Sequence, residues 1–349
     1  MTTLMRKTTI YGCAFLAVAL FAIVYFSMTK TIEISGVAQD DVQLSQGSAQ
    51  EGADLVLQNM LSFESGTEYT DYLTIPLDPN VKPDDITIEN HYMDSEFYII
   101  IDEIDKSFYK THPLTGNRAN IIEGSYEETA KGLSLKFVMN GIYEFKTVLE
   151  NNTLYVTCYS PHELYDKIVV IDPARGGQDF GASSEELYEK DIVLEITKNL
   201  KKKLDHNGTV KVYYTRMDDV NPKEELRVNL PNKIRADAYI RIEVDNVNDN
   251  AVYGITTLYN DEYFIPGFGN VELADIMESS VVTAVKGKAL GIYKSKDNDY
   301  TLLHSTVPST TIKVGCISNK QEAILLSRED YIEKISQGIF DGIMKMYEE

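Results

Sequence analysis

The chain has 349 residues, 43% hydrophobic and 25% charged, which is a globular composition with room for two domains. Its formal net charge of −21 makes the surface repel phosphates, so nucleic acid is excluded as a partner. The spacing of the three cysteines shows no disulfide framework. We expect Cys158 and Cys316 to be buried thiols in strands rather than one disulfide.

The first predicted element is an uncharged apolar segment at residues 9–28. Its length matches the roughly 20 residues that a helix needs to cross a bilayer. Arg6 and Lys7 precede it, so the positive-inside rule keeps residues 1–8 in the cytoplasm. We expect a single-pass anchor in the cell membrane with an extracytoplasmic body. A cleaved signal peptide is the alternative, although the cleavage motif Gly36-Val37-Ala38 lies well beyond the apolar end.

Residues 29–66 are largely small and polar, which predicts a flexible tether. Residues 67–165 then contain short runs of β-branched and aromatic residues, at 97–102, 133–138, 143–148 and 154–158. Asn140-Gly141 and residues 150–152 have the composition of hairpin turns. This region is predicted to be a small antiparallel β domain, a sandwich.

Residues 166–349 alternate between strand and helix patterns. Predicted strands lie at 167–172, 210–215, 238–243 and 310–315, and predicted helices at about 189–204, 223–235 and 330–346. The first strand is apolar throughout, as in a strand buried on both faces. The alternation predicts an α/β fold with a mostly parallel twisted sheet flanked by helices, and chemistry at the carboxyl ends of the strands.

Eight motifs follow one another through this region. They are IDPARGG (171–177), EKD (189–191), TRMD (215–218), ELR (225–227) with Asn232 and Ala236, ADAYIRIE (236–243), Gly254 with Tyr259, PSTTIKVGCISN (308–319) and a closing helix (330–346). In this order they resemble the motifs of the zinc-dependent N-acetylmuramoyl-L-alanine amidases, from about residue 166 to the end. Any one motif alone would be a weak signal, but the ordered series is specific.

The resemblance implies a zinc site in which a His, a Glu and a second His bind the metal and another Glu acts as general base. Carried over to this chain, those positions are Arg175, Glu189, Glu243 and Lys313. An arginine has no lone pair to give, and a lysine ammonium cannot take a proton from water. We therefore expect a degenerate metal site without zinc or another cofactor, with only Glu189 matching a family ligand and Lys313 not acting as the base.

The changed residues compensate one another in charge. We expect Arg175 to bridge Glu189 and Glu243 within an ion-pair network. The alternative is that these side chains have drifted and face solvent. His304 is the only histidine that we place near the site, and a solvated loop histidine is the favoured interpretation of it.

The favoured function is a catalytically impaired, amidase-like bacterial protein that binds peptidoglycan or a wall-remodelling partner from the outer face of the cytoplasmic membrane. The alternatives are an active N-acetylmuramoyl-L-alanine amidase, which would cleave the bond between muramic acid and L-Ala, and a structural or assembly protein of the envelope. The β domain loosely resembles those that precede amidase domains in cell-wall enzymes. It would either localise the protein on the wall or act as a spacer.

Overall fold

The structure is a computed structural model that describes residues 31–32, 59–64, 70–261, 267–296 and 298–348. The predicted anchor at 9–28 and most of the predicted tether lie outside the described residues. Within the described ranges, no helix is both long enough and apolar enough to span a membrane. The chain divides into two compact units, the first reaching Tyr159 and the second made of residues 160–348 with the short segment 92–94.

The first unit contains two antiparallel sheets. Its strands are β1 (Thr31–Ile32), β2 (Asn59–Met60), β3 (Leu73–Pro76), β4 (Ile86–His91), β5 (Glu96–Asp102), β6 (Thr115–Gly116), β7 (Ile121–Glu128), β8 (Gly132–Met139), β9 (Glu144–Glu150) and β10 (Thr153–Tyr159). The sheet orders are β1-β9-β10-β3-β6 and β2-β7-β8-β5-β4. Strands β1 and β2 lie inside the range that the sequence predicts as a tether.

One apolar core joins the two sheets of this unit. Strand β5 alternates, with Phe97, Ile99 and Ile101 buried, and β10 contributes Leu154 and Val156 to the same core from the other sheet. Alternation of this kind buries one face of each sheet and leaves the other polar. The unit is the antiparallel β-sandwich that the sequence predicts.

The second unit has the α/β fold. Its elements are α1 (Pro161–Leu164), β11 (Ile168–Pro173), β12 (Ser183–Ser184), β13 (Leu187–Tyr188), α2 (Glu189–Asn207), β14 (Lys211–Tyr214), α3 (Glu224–Ile234), β15 (Ala238–Asp245), β16 (Ile255–Tyr259), α4 (Asn270–Val285), β17 (Ala289–Lys294), α5 (Tyr300–His304), β18 (Ser309–Cys316), α6 (Lys320–Leu326) and α7 (Glu329–Met346). The main sheet has the order β14-β11-β15-β18-β16-β17. Neighbouring strands are parallel except β16 and β18, so the sheet is mostly parallel, as predicted.

The order of this sheet places three strand ends side by side. Strand β11 is buried along its whole length, and α2, α4 and α7 contribute apolar side chains to the core on the sheet. Because β11, β15 and β18 are adjacent and parallel, their carboxyl ends meet at one edge. This edge carries Arg175, Glu243 and Lys313. The two cysteines of the described region are free thiols in strands, and of the two only Cys316 is buried as predicted, whereas Cys158 is half-buried.

Candidate functional site

The loop after β11 is the first part of the site, and two buried arginines fix its path. Arg216 donates to the carbonyl oxygens of Pro173 and Ala174 at 2.9 and 2.7 Å. Arg227 donates to the carbonyl oxygens of Pro173 and Arg175 at 3.0 and 2.8 Å. A guanidinium has five donors in a rigid fork and can hold several carbonyls at once. These two motif arginines therefore position the backbone of Arg175.

A tight turn brings Arg175 into the site. Arg175 has a φ of +64°, in the left-handed region that few side chains adopt, and Gly176 follows with a φ of +127°. A Cβ on Gly176 would lie 2.0 Å from the carbonyl oxygen of Val220. The glycine is needed here for both its conformation and its size.

Glu189, the first residue of α2, is almost fully buried, with 1% of its surface exposed. Its Oε2 accepts hydrogen bonds from the Ala182 amide at 2.8 Å and from Arg175 Nε at 3.4 Å. Its Oε1 accepts from the Val244 amide at 3.3 Å. Burial and the nearby charge of Glu243 raise the pKa of Glu189, against the opposing effect of these donors. Both carboxylate oxygens are thus engaged by the protein itself.

Glu243 is held by a residue that the sequence analysis missed, Arg241. The Nε of Arg241 donates to Glu243 at 2.9 Å, its Nη1 to Asp172 at 2.8 Å, and its Nη2 to Glu224 at 3.3 Å. Arg241 is buried, so its ion pairs with Asp172 and Glu243 lie largely out of water, whereas Glu224 is exposed. The signal in the sequence was a charged pair, Arg241 and Glu243, alternating with apolar residues in a strand that the core should bury.

The predicted bridge through Arg175 therefore exists only in part. Arg175 forms ion pairs with Glu189 at 3.4 Å and with Asp179 at 3.5 Å. Among the described residues, no ion pair joins Arg175 to Glu243, and the arginine that bridges carboxylates is Arg241. The reason is geometric, because Arg241 and Glu243 lie two residues apart on the same face of β15, whereas Arg175 reaches the site from a separate loop.

Lys313 lies beside Glu243 in the register of β15 and β18. Its Nζ donates to Asp245 Oδ1 at 2.9 Å, and its side chain is 20% exposed. Burial alone would lower the pKa of Lys313, but the hydrogen bond and the charges of Asp245, Glu243 and Glu189 raise it above its ordinary value. Lys313 is therefore an ammonium group, and it cannot accept a proton.

Asp172 lies beneath these residues and is completely buried. It forms ion pairs with Arg227 and Arg241 and accepts hydrogen bonds from Tyr239 and Thr215. Burial disfavours its charge, yet the two arginines and two hydroxyls hold the pKa of Asp172 well below its usual range. This carboxylate ties β11, β14, β15 and α3 together below the site.

Two more carboxylates belong to the region. Asp219 accepts from the Gly177 amide at 2.8 Å and from Lys190 Nζ at 2.6 Å, so the carboxylate of the TRMD turn that fastens the loop is Asp219 and not Asp218. Asp299 is the N-cap residue of α5, and burial and the charge of Glu243 raise the pKa of Asp299. His304 is exposed, and its ring stacks on Tyr300 at a centroid distance of 4.0 Å.

The family profile described as N-acetylmuramoyl-L-alanine amidase matches residues 169–345, half of the chain. The chain belongs to this family. It is 29% identical over 226 residues to the germination-specific N-acetylmuramoyl-L-alanine amidase of Bacillus subtilis, covering 60% of this chain and 90% of that protein. It is 30% identical over 198 residues to the uncharacterised protein YqiI of Bacillus subtilis, covering 56% and 93%. An N-acetylmuramoyl-L-alanine amidase structure from Clostridium difficile is 31% identical, with coverages of 52% and 97% and a TM-score of 0.49.

The residues of this amidase-family site do not fit the zinc ion that the family resemblance implies. A catalytic zinc takes three protein ligands with free lone pairs. The described residues contain no group of three His, Cys, Asp or Glu side chains placed to hold a metal. Arg175, at a position that matches a family ligand, carries a positive charge and forms an ion pair with Glu189. The carboxylate of Glu243 forms an ion pair with Arg241. Cationic side chains thus stand where the metal and its base would be.

Proposed function

We propose that this member of the amidase family binds peptidoglycan, or a partner in wall remodelling, without hydrolysing the wall. The observation that carries the proposal is the state of Glu189, the one family ligand that the chain keeps. Its carboxylate accepts from Arg175 and from two backbone amides, so its lone pairs face internal donors. A zinc ion would have to displace these donors and lie against a guanidinium.

The site also lacks the general base that amide hydrolysis by the family mechanism requires. In the family mechanism a glutamate takes a proton from water that the metal has activated. Lys313 holds that position as an ammonium paired with Asp245, and an ammonium has no lone pair to accept the proton. A bound peptide would therefore meet neither an activated water nor a general base at this edge of the sheet.

The features that support binding are the loop framework and an exposed aromatic residue. Arg216 and Arg227 keep the loop after β11 in place without a metal. Phe180 is 44% exposed, and its ring packs on Tyr188 at 5.1 Å between centroids. Exposed aromatic faces beside charged groups suit the apolar and polar faces of a sugar or peptide.

We also propose that residues 9–28 are an uncleaved anchor in the cytoplasmic membrane and that both units lie on its extracytoplasmic side. The charge pattern around that segment supports this orientation. The β-sandwich would then either hold the amidase-family unit away from the membrane or contact the wall.

A second candidate, an active N-acetylmuramoyl-L-alanine amidase, is favoured by the family match and by the relative named as a germination-specific amidase. It would need zinc held by Glu189, Glu243 and a third ligand, with Arg175 and Arg241 displaced. The two candidates differ in whether incubation with peptidoglycan releases stem peptides.

The test is co-sedimentation of the full-length chain, purified in detergent, with purified sacculi, followed by assay of released peptides. We expect binding without release. Arg175→Glu should weaken binding about tenfold, a change of about 1.4 kcal/mol, because it reverses a charge in the site. Lys198→Glu makes the same charge change at an exposed position of α2 and should leave binding unaltered. Zinc-dependent release of stem peptides by the wild-type chain would contradict the proposal.

A further inference from the structure

The outward face of strand β10 in the β-sandwich carries no charge. Strand β10 is the central strand of the sheet with the order β1-β9-β10-β3-β6. Its side chains alternate, and Leu154, Val156 and Cys158 pack on the core. The residues between them face outward, and all of them are half-buried threonines and tyrosines: Thr153, Tyr155, Thr157 and Tyr159.

The neighbouring strand β3 extends this uncharged surface. Thr74 pairs with Tyr155 in the register, so both side chains lie on the same face. Tyr72, just before β3, is 37% exposed, and its ring packs edge-on against Tyr155 at 5.0 Å between centroids. We call the following residues the tyrosine strip: Tyr72, Thr74, Thr153, Tyr155, Thr157 and Tyr159.

Charged side chains lie only at the borders of the tyrosine strip, among the described residues. On one side is strand β9, whose outward residues pair with those of β10 and include Glu144, Lys146 and Glu150. On the other side, Asp71 and Asp78 lie in the loops before and after β3. The strip is therefore an uncharged band that runs along the middle of the sheet.

The other sheet of the sandwich has a charged outer face. Tyr98 of β5 also faces outward, but its hydroxyl donates to Glu96 at 2.7 Å. Glu96 also forms an ion pair with Lys136 at 2.7 Å. A charged face of this kind suits contact with water, and it is expected in a chain with 54 Asp and Glu and 33 Lys and Arg. The tyrosine strip departs from this pattern and indicates a surface that contacts a ligand.

The polar groups of the tyrosine strip are available to such a ligand. Among the residues that the structure describes, the side-chain hydroxyls of Tyr155, Thr157 and Tyr159 make no hydrogen bond. Tyr155 and Tyr159 are four residues apart on one strand, which separates their Cα atoms by about 14 Å. The strip thus offers two rings in a line along β10, with free hydroxyls on and between them.

We propose that the tyrosine strip binds the glycan strand of peptidoglycan, with the strand lying along β10. The faces of a sugar ring present C–H groups, which pack on the electron-rich faces of tyrosine rings. The rim of a sugar presents hydroxyl and N-acetyl groups, which pair with threonine and tyrosine hydroxyls. At about 14 Å apart, the two tyrosines would contact different sugars of one chain.

The absence of charge favours a sugar chain over other polymers. A polyanion would be repelled by a chain with a net charge of −21. A protein interface of this area would use aliphatic side chains at its centre, whereas here they are confined to Val148 and Pro76 beside the strip. The proposal goes beyond the proposed function and shares only the extracytoplasmic location with it. It makes the β-sandwich a wall-binding domain and not a spacer.

The experiment measures binding of a fluorescently labelled hexamer of N-acetylglucosamine to the full-length chain in detergent, by fluorescence anisotropy. Tyr155→Thr removes one ring and keeps a hydroxyl and a residue type that favours strands. We expect Tyr155→Thr to weaken binding at least about fivefold, because one aromatic contact is lost. Tyr98→Thr makes the same change on the other sheet and should leave binding unaltered. Tyr72→Ala lies in a loop and should also weaken binding, so the test does not depend on one strand variant.

Co-sedimentation with intact sacculi tests whether the wall glycan is the ligand. Tyr155→Thr should weaken it as well, whereas Arg175→Glu should leave hexamer binding unchanged. Weaker hexamer binding with unaltered binding to sacculi would overturn the wall glycan as the ligand. Hexamer binding that is lost in Arg175→Glu and kept in Tyr155→Thr and Tyr72→Ala would overturn the proposal, since the glycan would then bind at the amidase-family site.

Three further results would overturn the proposal. They are no measurable hexamer binding by the wild-type chain, equal weakening by Tyr98→Thr, and a dimer that dissociates in Tyr155→Thr, which would assign the strip to a second copy of the chain. Release of stem peptides from sacculi would contradict the proposed function alone and would leave the glycan contact standing.

Discussion

At the scale of single residues, the sequence indicates which charged groups lie at the site but not how they pair. The residue types at 175, 189, 243 and 313 follow from aligned motifs, and their charges alone argue against zinc. Which cation meets which carboxylate depends on side chains from different elements converging in one recess. Arg241 forms an ion pair with Glu243 because both side chains lie on one face of β15. This pairing can be identified only when the position of β15 in the sheet is known.

Asp172 makes the acid stability of this unit testable. Its folded-state pKa is lowered, mainly by Arg227 and Arg241 against the cost of burial, relative to about 3.9 in an unfolded chain. A lowered folded-state pKa contributes stability above the unfolded value, which is lost as pH falls below about 4. Asp172→Asn should therefore lower the free energy of unfolding at pH 7, and the difference from wild type should narrow between pH 4 and 2. The free energy of unfolding is measured by chemical denaturation at each pH, with Asp341→Asn, at an exposed position, as the control. A difference between wild type and Asp172→Asn that stays constant with pH would contradict the lowered pKa of Asp172.

Rebuilding the metal site tests the role assigned to Arg241. The triple variant Arg175→His, Glu243→His, Lys313→Glu restores the family's ligands and base around Glu189. It leaves the guanidinium of Arg241, which now donates to Glu243 at 2.9 Å, beside the new histidine. Adding Arg241→Ser removes this competing cation. We expect the variant with all four substitutions to bind zinc at least about tenfold more tightly than the triple variant, as measured by competition with a chelator. Equal affinities would show that Arg241 does not oppose the metal.

At the scale of elements, the strands and helices with a clear period were predicted and the others were not. The continuous apolar run of β11 and the four-residue spacing of apolar residues in α2 are local signals, and both elements are present in the structure. Helix α4 and strand β17 were not predicted because they lie between the sixth motif, Gly254 with Tyr259, and the seventh, at 308–319, in a stretch that carries no family motif. Helix α4 also carries buried polar residues, Asn270 and Glu278, which weaken its apolar pattern.

The loop after β11 gives the element-scale prediction. Gly176→Ala would place a methyl group 2.0 Å from the Val220 carbonyl oxygen at a φ of +127°, so the loop would have to shift. Gly177→Ala is the matched control, because its φ is +54° and its nearest neighbour would be 3.7 Å away. We expect Gly177→Ala to cost about 1–2 kcal/mol, the ordinary left-handed penalty. Gly176→Ala should cost clearly more in thermal or urea unfolding. Similar losses of stability in the two variants would mean that the backbone at Val220 can move to accommodate the added methyl group.

At the scale of the whole molecule, the sequence predicted a β-sandwich and an α/β unit, and both are present. Each has its own apolar core, which is why the change in hydrophobic period marks the change of unit. The short strands β1 and β2 were not predicted, since two-residue strands owe their existence to a partner far along the chain and not to local pattern. The chain belongs to the N-acetylmuramoyl-L-alanine amidase family, and Arg175 and Lys313 occupy two of the positions that resemble the family's metal site.

The most direct test of this account is the zinc content of the purified chain after loading with zinc and desalting. The arrangement of Arg175, Glu189, Glu243 and Lys313 predicts less than about a tenth of an equivalent, because a zinc site needs three free ligands. Glu189→Ala should not change that value, and the exposed Glu225→Ala serves as its control. Zinc near one equivalent, lost in Glu189→Ala but kept in Glu225→Ala, would contradict the account and make an active amidase the leading interpretation.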